Sequence, residues 1–252
     1  MAGTVVTNIG TSFDQIAAQY DLLWSHTAIG EAHRRAVWNR IDLIFPPESR
    51  VLDLGCGTGI DACHLMARGV EVHAIDSASE MVKIARSRRV PAHSCRIEDF
   101  EAETNSFDGV LSDFGALNCI TSLSRLNETL ARAVRPGGHL ALCFLGRICI
   151  WEIVYYAVRG SFRKAFRRIP GHASSSLGIP VIYPSRKKIE SAFSPNFRLL
   201  RRYGIGLLVP PSYVSGLTQW ELDRLRAIDR KLAHRPLLRA LCDHSLYVFR
   251  KS

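Results

Sequence analysis

No stretch of this chain is apolar for long enough to cross a bilayer. Its most apolar run, LALCFLGRICIWEIVYYAV from Leu140, is broken by Arg147 and Glu152. A spanning helix needs about 20 residues with almost no charge, so the reading is a soluble protein. The N-terminal MAGTVVTNIG lacks the basic region and apolar run of a secretory leader. Cysteines stand at 56, 63, 95, 119, 143, 149 and 242, an odd count without a CxxC pair. That pattern excludes a zinc ribbon and a secreted disulfide framework, and it points to small core thiols in a reducing cytoplasm. No His, Asp and Glu cluster has metal-ligand spacing, so metal-independent chemistry is expected. Internal repeats and low-complexity tails are missing too.

What is present is a 252-residue chain with 47% hydrophobic and 22% charged residues, ordinary proportions for a protein with a real core. Its net charge of +10 is unevenly spread. Residues 1–145 carry 13 Lys and Arg against 17 Asp and Glu, and residues 146–252 carry 20 against 6. The basic second part is either a solvated surface or a face turned toward something anionic. Phe13, Ile16, Ala17, Tyr20 and Trp24 recur at helical spacing over 12–24, and a second helix over 28–44 stops before Pro46-Pro47. Short β-rich runs follow at 50–54, 70–75, 107–112 and 139–145, with a weaker one at 92–97. Helical segments over 59–68, 77–89 and 122–134 separate them. That alternation predicts parallel βαβ units in a doubly wound α/β sheet. Beyond 145 come a mixed apolar and basic helix over about 147–168 and a Gly, Pro and Ser-rich loop that reads as a lid or binding loop. A strand over FRLLRRYGIGLLV, a helix near 215–234 and a closing strand HSLYVFRK complete the chain.

The stretch VLDLGCGTG, residues 51–59, joins a strand to a helix through Gly55, Gly57 and Gly59. Such a turn lets a ligand approach backbone and faces it with helix N–H groups. A dinucleotide fingerprint would put its third glycine at 60, where Ile60 stands, and has no use for a carboxylate at the strand end. Asp53 instead offers negative charge to a cationic ligand. S-Adenosylmethionine, with an ammonium and a sulfonium, fits that electrostatics better than a pyrophosphate.

On these residues the chain strongly resembles the class I S-adenosylmethionine-dependent methyltransferases, whose first motif VLDLGCGTG matches throughout. The resemblance covers about residues 12–145 and, weakly, the last strand. It implies a mostly parallel seven-stranded sheet in a single domain over 1–252. Residues 1–47 would form an N-terminal helical cap and 48–145 the cofactor-binding core. Residues 146–240 would be a helical and loop insertion on the substrate side, continuing into the rest of the sheet. The resemblance also implies the cofactor contacts. Asp53, Gly55, Cys56 and Gly57 form the turn, and Asp76, with Ser77 after it, meets the ribose hydroxyls. Met81, Glu98, Asp99 and Phe100 surround the adenine, Asp113 and Phe114 lie beneath the methionine part, and Tyr20 covers its carboxylate. Read alone, Asp76 would equally cap the helix after it, Asp99 would be a solvated turn acid, Met81 a core residue and Tyr20 a packing residue.

The chemistry implied is an in-line displacement at the sulfonium methyl, with S-adenosylhomocysteine as product. A base is needed only where the acceptor must lose a proton to become nucleophilic. The loop after the fourth strand reads DFGALNC. It lacks the Pro-containing runs typical of enzymes that methylate nucleic-acid amino groups or cytosine C5, and Cys119 therefore has no support as a nucleophile. The default acceptor is a small biosynthetic metabolite, methylated on O or N. Asn118 is placed to reach it or to cap a helix, and His172, in the Gly/Ser/Pro loop, is a candidate base. Tyr183 is a weaker one, while His64 and His73 read as structural. In VRGSFRKAFRRIPGH, Arg159, Arg163, Lys164, Arg167 and Arg168 recur with Phe162 and Phe166. This segment is a basic amphipathic helix that touches a membrane surface, a lid whose arginines clamp an anionic acceptor, or a solvated helix. A nucleic-acid or lipid methyltransferase, and a cofactor-binding protein without transfer activity, are the competing functions.

Overall fold

The computed structural model describes residues 9–175, 177–214 and 216–252; the residues of the N-terminus in which no leader was read lie largely outside them. The chain begins with α1 (Ile9–Asp14), α2 (Ala17–Tyr20), a π-turn over Asp21–Ser25 and α3 (Ala28–Ile41). The single helix expected over 12–24 is thus broken. His26 N–H reaches the Asp21 carbonyl at 2.7 Å, which closes the wider π ring. Asp21 itself is drawn inward, accepting from Thr58 Oγ1 at 2.7 Å and from Arg88 at 2.5 Å. α3 starts where Thr27 accepts from Gly30 N, an N-cap that satisfies one of the helix's free donors.

The alternating part follows as β1 (Arg50–Leu54), α4 (Ile60–Ala67), β2 (Glu71–Asp76), α5 (Ser79–Ser87), β3 (Ala92–Ser94), β4 (Phe107–Ser112), α6 (Leu123–Ala133) and β5 (Val134–Leu145). β5 begins earlier than the run of alternating residues suggested. β1 and β4 are buried along nearly their whole length, as parallel strands covered on both faces must be.

After β5 the chain forms α7 (Ile150–Ala157) and α8 (Phe162–Ala165), then β6 (His172–Ser174) and β7 (Pro180–Ile182). Next are α9 (Arg186–Phe193), β8 (Phe197–Ile205), α10 (Gln219–Leu232) and β9 (His244–Lys251). The expected 147–168 helix is two helices, because Gly160 takes φ +70° and Ser161 N–H turns back to the Tyr156 carbonyl. The expected loop after it folds into an antiparallel hairpin, with Ala173 opposite Val181.

β3-β2-β1-β4-β5-β9-β8 is the strand order of the main sheet. The neighbours from β3 to β5 are parallel, and β9 runs antiparallel to both β5 and β8. One face carries Leu123, Leu126 and Leu130 of α6, with Ile189 and Phe193 of α9. The other carries Val37 and Ile41 of α3, Leu65 of α4 and Val82 of α5. Helices on both faces of a mostly parallel sheet are the doubly wound class I methyltransferase architecture. Among the described residues no helix is long and apolar enough to cross a membrane, and all seven cysteines are free thiols.

Candidate active site

Strand order reverses between β1 and β4, and ligands of open α/β sheets bind in the crevice outside the strand ends at such a point. The glycine turn lies there, and its three glycines answer to different constraints. Gly55 has φ +74°, and a Cβ on it would stand 2.3 Å from the Cβ of Ala116. Gly59 has φ +82° and would meet Ala85 of α5 at 3.0 Å. Gly57, at φ +53°, faces nothing within 4 Å, so its backbone is open to a ligand. Asp76 holds the turn in place: one carboxylate oxygen accepts from Gly57 N at 2.8 Å and the other from Ala78 N at 2.8 Å.

Gly55, Cys56, Gly57, Asp76, Ser77, Met81, Glu98, Asp113, Phe114 and Tyr20 all line one cavity of about 580 Å³. That is ample for a nucleoside with a second small molecule beside it. Tyr20 packs against Trp24 with ring centroids 5.0 Å apart, closing the cavity from the N-terminal cap. The cap is pinned by Asp21 and by Asp14, which accepts from Glu80 N at 2.7 Å.

Three expected cofactor contacts lie elsewhere. Asp53 is buried within β1 and does not reach the cavity wall. Burial and the neighbouring Asp61 and Asp113 push its carboxyl well above the usual range. Phe100 points into the core beside Leu52 and Phe107. Asp99 is on the surface 3.6 Å from Arg96, and Ile97 takes its place in the wall.

Electrostatically, this end of the cavity is short of cations. Arg34 pairs with Asp61, whose other oxygen accepts from Trp38 Nε1 at 2.7 Å. Asp113 is left with one buried oxygen, Oδ2, that has no partner. Burial first, and Asp61 second, raise Asp113 to about 8. Asp76 is also raised, chiefly by burial. An unpartnered carboxylate oxygen and an open glycine backbone suit a ligand that brings positive charge. Cys119 lines the same wall, but burial pushes its thiol up to about 11, so it is no nucleophile.

The other end is built from the region after β5. The β6–β7 hairpin contributes Ser174, Ile179 and Val181, and Tyr156, Tyr183 and Tyr213 supply aromatic faces. His33 of α3 and His244 at the start of β9 complete it, with Asp243 beside them. Sequence reasoning missed this trio because its members are some 200 positions apart, brought together only by packing α3 against the end of β9. Their ligand-type atoms lie within 4.8 Å of one another, a donor set of the kind that holds a divalent ion. Asp243, however, already carries Arg168 at 2.8 Å; against the effect of burial, His244 and then Arg168 hold its carboxyl well below the usual range. His244 Nδ1 lies 3.3 Å from Asp243, and its ring stands edge-on to Phe114 with centroids 5.3 Å apart. Burial, opposed by Asp243 and aided by His33 and Arg168, lowers His244 to about 4.

Two of the cations expected to clamp an anionic acceptor, Arg167 and Arg168, are occupied instead. Arg167 and Arg168 both pair with the buried Glu152, at 2.8 Å each, and Tyr213 donates to the same carboxylate at 3.1 Å. With Asp243 included, two cations face two carboxylates and the chamber is close to neutral. His172 is an exposed residue at the open end of the hairpin, opposite Ile182, and is not part of the wall. Asn118 is fully buried and has a structural role. Its Nδ2 donates to the Ile182 carbonyl at 2.6 Å, and its Oδ1 accepts from Leu145 N at 2.9 Å.

A protein-family model described as a methyltransferase domain matches residues 51–138. The chain is 33% identical over 138 residues to a demethylmenaquinone methyltransferase of Mycobacterium sp. (strain KMS), covering 54% of this chain and 58% of that protein. It is 31% identical over 137 residues to the protein of that name from Corynebacterium kroppenstedtii, with the same coverage. The chain thus spans less than two thirds of the length of these relatives. Among solved structures, an S-adenosylmethionine-dependent methyltransferase from Mesorhizobium loti superposes with TM-score 0.60 at 18% identity, over 87% of this chain and 97% of that one. The 1,6-didemethyltoxoflavin-N1-methyltransferase of Burkholderia thailandensis, solved with its acceptor and S-adenosylhomocysteine, gives TM-score 0.60 at 14% identity, over 96% and 86%. The [4+2]-cyclase SpnF gives 0.59 at 15% identity, over 96% and 94%, so the fold by itself does not select the chemistry.

The structural role of Asn118 has a direct consequence. Asn118→Ala leaves the Leu145 N–H and the Ile182 carbonyl unpaired in a buried place. Stability should fall by about 2–4 kcal/mol, read as a drop of roughly 5–10 °C in thermal midpoint. Native-state proteolysis should show cleavage moving into the β6–β7 hairpin.

Proposed function

We propose that the chain is a class I S-adenosylmethionine-dependent methyltransferase and that it methylates an oxygen or nitrogen of a small, uncharged, aromatic metabolite in a biosynthetic reaction. The observation that carries this reading is the continuity of one cavity. It runs from the glycine turn and Asp76 to a chamber walled by Tyr156, Tyr183 and Tyr213. Its aromatic walls favour a flat acceptor, and the balanced Glu152, Arg167, Arg168 and Asp243 argue against a charged one. Relatives named as methyltransferases of demethylmenaquinone and of 1,6-didemethyltoxoflavin support a small molecule over nucleic acid.

Bound here, S-adenosylmethionine would supply an electrophilic methyl group for in-line attack by the acceptor, with S-adenosylhomocysteine as the leaving group. Gly57 and Ser77 offer backbone to the nucleoside, Asp76 its carboxylate to the ribose, and Met81 an apolar face to the base. Asp113 receives positive charge from the methionine end. The two walls hold donor and acceptor in alignment, which is the main work of such a site. His244 takes the proton that a hydroxyl acceptor must lose.

Cofactor affinity should respond to Asp113. A carboxyl raised to about 8 is largely protonated below that pH, and a cation placed against it draws the proton off. Binding should therefore tighten by more than about tenfold between pH 6.5 and 8, approaching tenfold per pH unit for one proton released. Calorimetry in buffers of different ionisation enthalpy should count that proton, and Asp113→Asn should abolish both effects.

His244→Ala should lower kcat by about 10²–10⁴-fold with little change in cofactor affinity, the range of a lost general base. Because His244 is held near 4 and not 6.5, kcat should stay level as pH falls through the ordinary histidine range and decline only toward pH 4. A profile breaking near 6.5 would remove His244 from this role. The acceptor class is tested by transfer of labelled methyl from S-adenosylmethionine into a cell extract. Label should appear in small metabolites; label confined to RNA or to phospholipid would defeat the proposal, and none anywhere would favour a cofactor-binding protein.

A further inference from the structure

Segment 148–169, which contains α7 and α8, holds a cluster of the large hydrophobic residues exposed among the described ones. Of the thirteen large hydrophobic residues exposed among the described ones, six fall within these residues: Ile148, Val154, Val158, Phe162, Phe166 and Ile169. Val158 is 76% exposed and Phe162 62%. Exposed apolar groups scattered singly need no explanation, but a cluster of this density marks an interaction surface. Phe162 and Phe166, four positions apart around one helical turn, share a face.

Charge on the same surface has one sign. Arg159, Arg163 and Lys164 are exposed. The only carboxylate of the segment, Glu152, is buried beneath it and occupied by Arg167 and Arg168. Arg159 lies over the Tyr155 ring at 3.7 Å and Lys164 faces Tyr156 at 5.8 Å. Among the described residues none of the three cations has a carboxylate partner. Large apolar side chains rimmed by unpaired cations, without an acid between them, complement an anionic lipid headgroup layer over an acyl interior. Another protein copy would face the same cations with its own.

We propose that the α7–α8 surface docks on anionic phospholipid membranes, with Phe162 and Phe166 entering the interface and Arg159, Arg163 and Lys164 meeting phosphates. The binding is peripheral and reversible, since no helix spans the bilayer. Tyr156 and Arg167, from the same segment, line the cavity wall. Docking therefore brings the acceptor end of the cavity to the lipid surface.

Sedimentation of the full-length protein with vesicles of phosphatidylcholine, with and without phosphatidylglycerol, tests this without any assay of turnover. The protein should bind the anionic vesicles at least about tenfold more tightly than neutral ones, and added salt should weaken the binding. Phe162→Ser with Phe166→Ser, and separately the Gln substitutions of Arg159, Arg163 and Lys164, should each reduce it by about tenfold or more. Both variants should keep the wild-type melting temperature and S-adenosylmethionine affinity, which separates loss of docking from misfolding. Wild-type protein that stays in the supernatant with anionic vesicles at low salt would overturn the proposal. So would unchanged binding of both variants, or a dimer at micromolar concentration that only the Phe variant dissolves.

Discussion

Asp53, Asp61, Asp76 and Asp113 crowd the carboxyl edge of β1, β2 and β4, and among the described residues Arg34, partly buried, is the one cation that pairs with any of them. Burial and mutual repulsion raise Asp53, Asp76 and Asp113 above the ordinary carboxylate range, since each charged form is costly where water is excluded. Such a site favours a ligand that brings its own positive charge. The glycine turn supplies the opening, the N-terminal cap covers it, and Asp76 fixes its backbone. Each of these contributions gains its value from that deficit. Asp53 takes part from behind the turn, as one of the charges and not as a contact.

The chamber at the other end follows the opposite rule. Glu152 and Asp243 are matched by Arg167 and Arg168, and the ion network is closed by Tyr213. A balanced, hydrogen-bonded network keeps its shape without a ligand but offers little charge to one. The cavity is thus electrostatically polarised, electron-rich where a cofactor belongs and nearly neutral where an acceptor would sit. His244 stands at the border, with Phe114 on one side and Asp243 on the other.

Much of the sheet was legible because its strands carry strong local signals. Arg50–Leu54, Phe107–Ser112 and His244–Lys251 fall where apolar runs end in turn residues. The glycine run was legible for the same reason, as a short contiguous motif, whereas Asp76 was picked out only by the resemblance. Where a resemblance assigned roles by position, local geometry altered some of them. The 3-10 turn at Ile97–Asp99 sends Asp99 outward and Phe100 into the core. Asn118 read as an acceptor contact, but its side chain satisfies two backbone groups. The continuous 147–168 helix failed at Gly160, whose left-handed backbone a periodicity count does not register. His33 and His244 were invisible because their meeting depends on how α3 and β9 pack, which no spacing encodes.

Asn118 links the two halves mechanically. It follows directly from the loop that lines the cofactor end, through Ala116, and it grips both the end of β5 and the β7 strand of the hairpin. That loop is thus tied to the hairpin by the Asn118 Nδ2 bond to the Ile182 carbonyl and to the end of β5 by the Leu145 N–H bond to Asn118 Oδ1. Arg147 adds a second tie, donating to the Ile169 carbonyl just ahead of the hairpin at 2.6 Å. Both ties are polar contacts of fixed geometry, whereas the apolar surface on α7 and α8 is free of such ties.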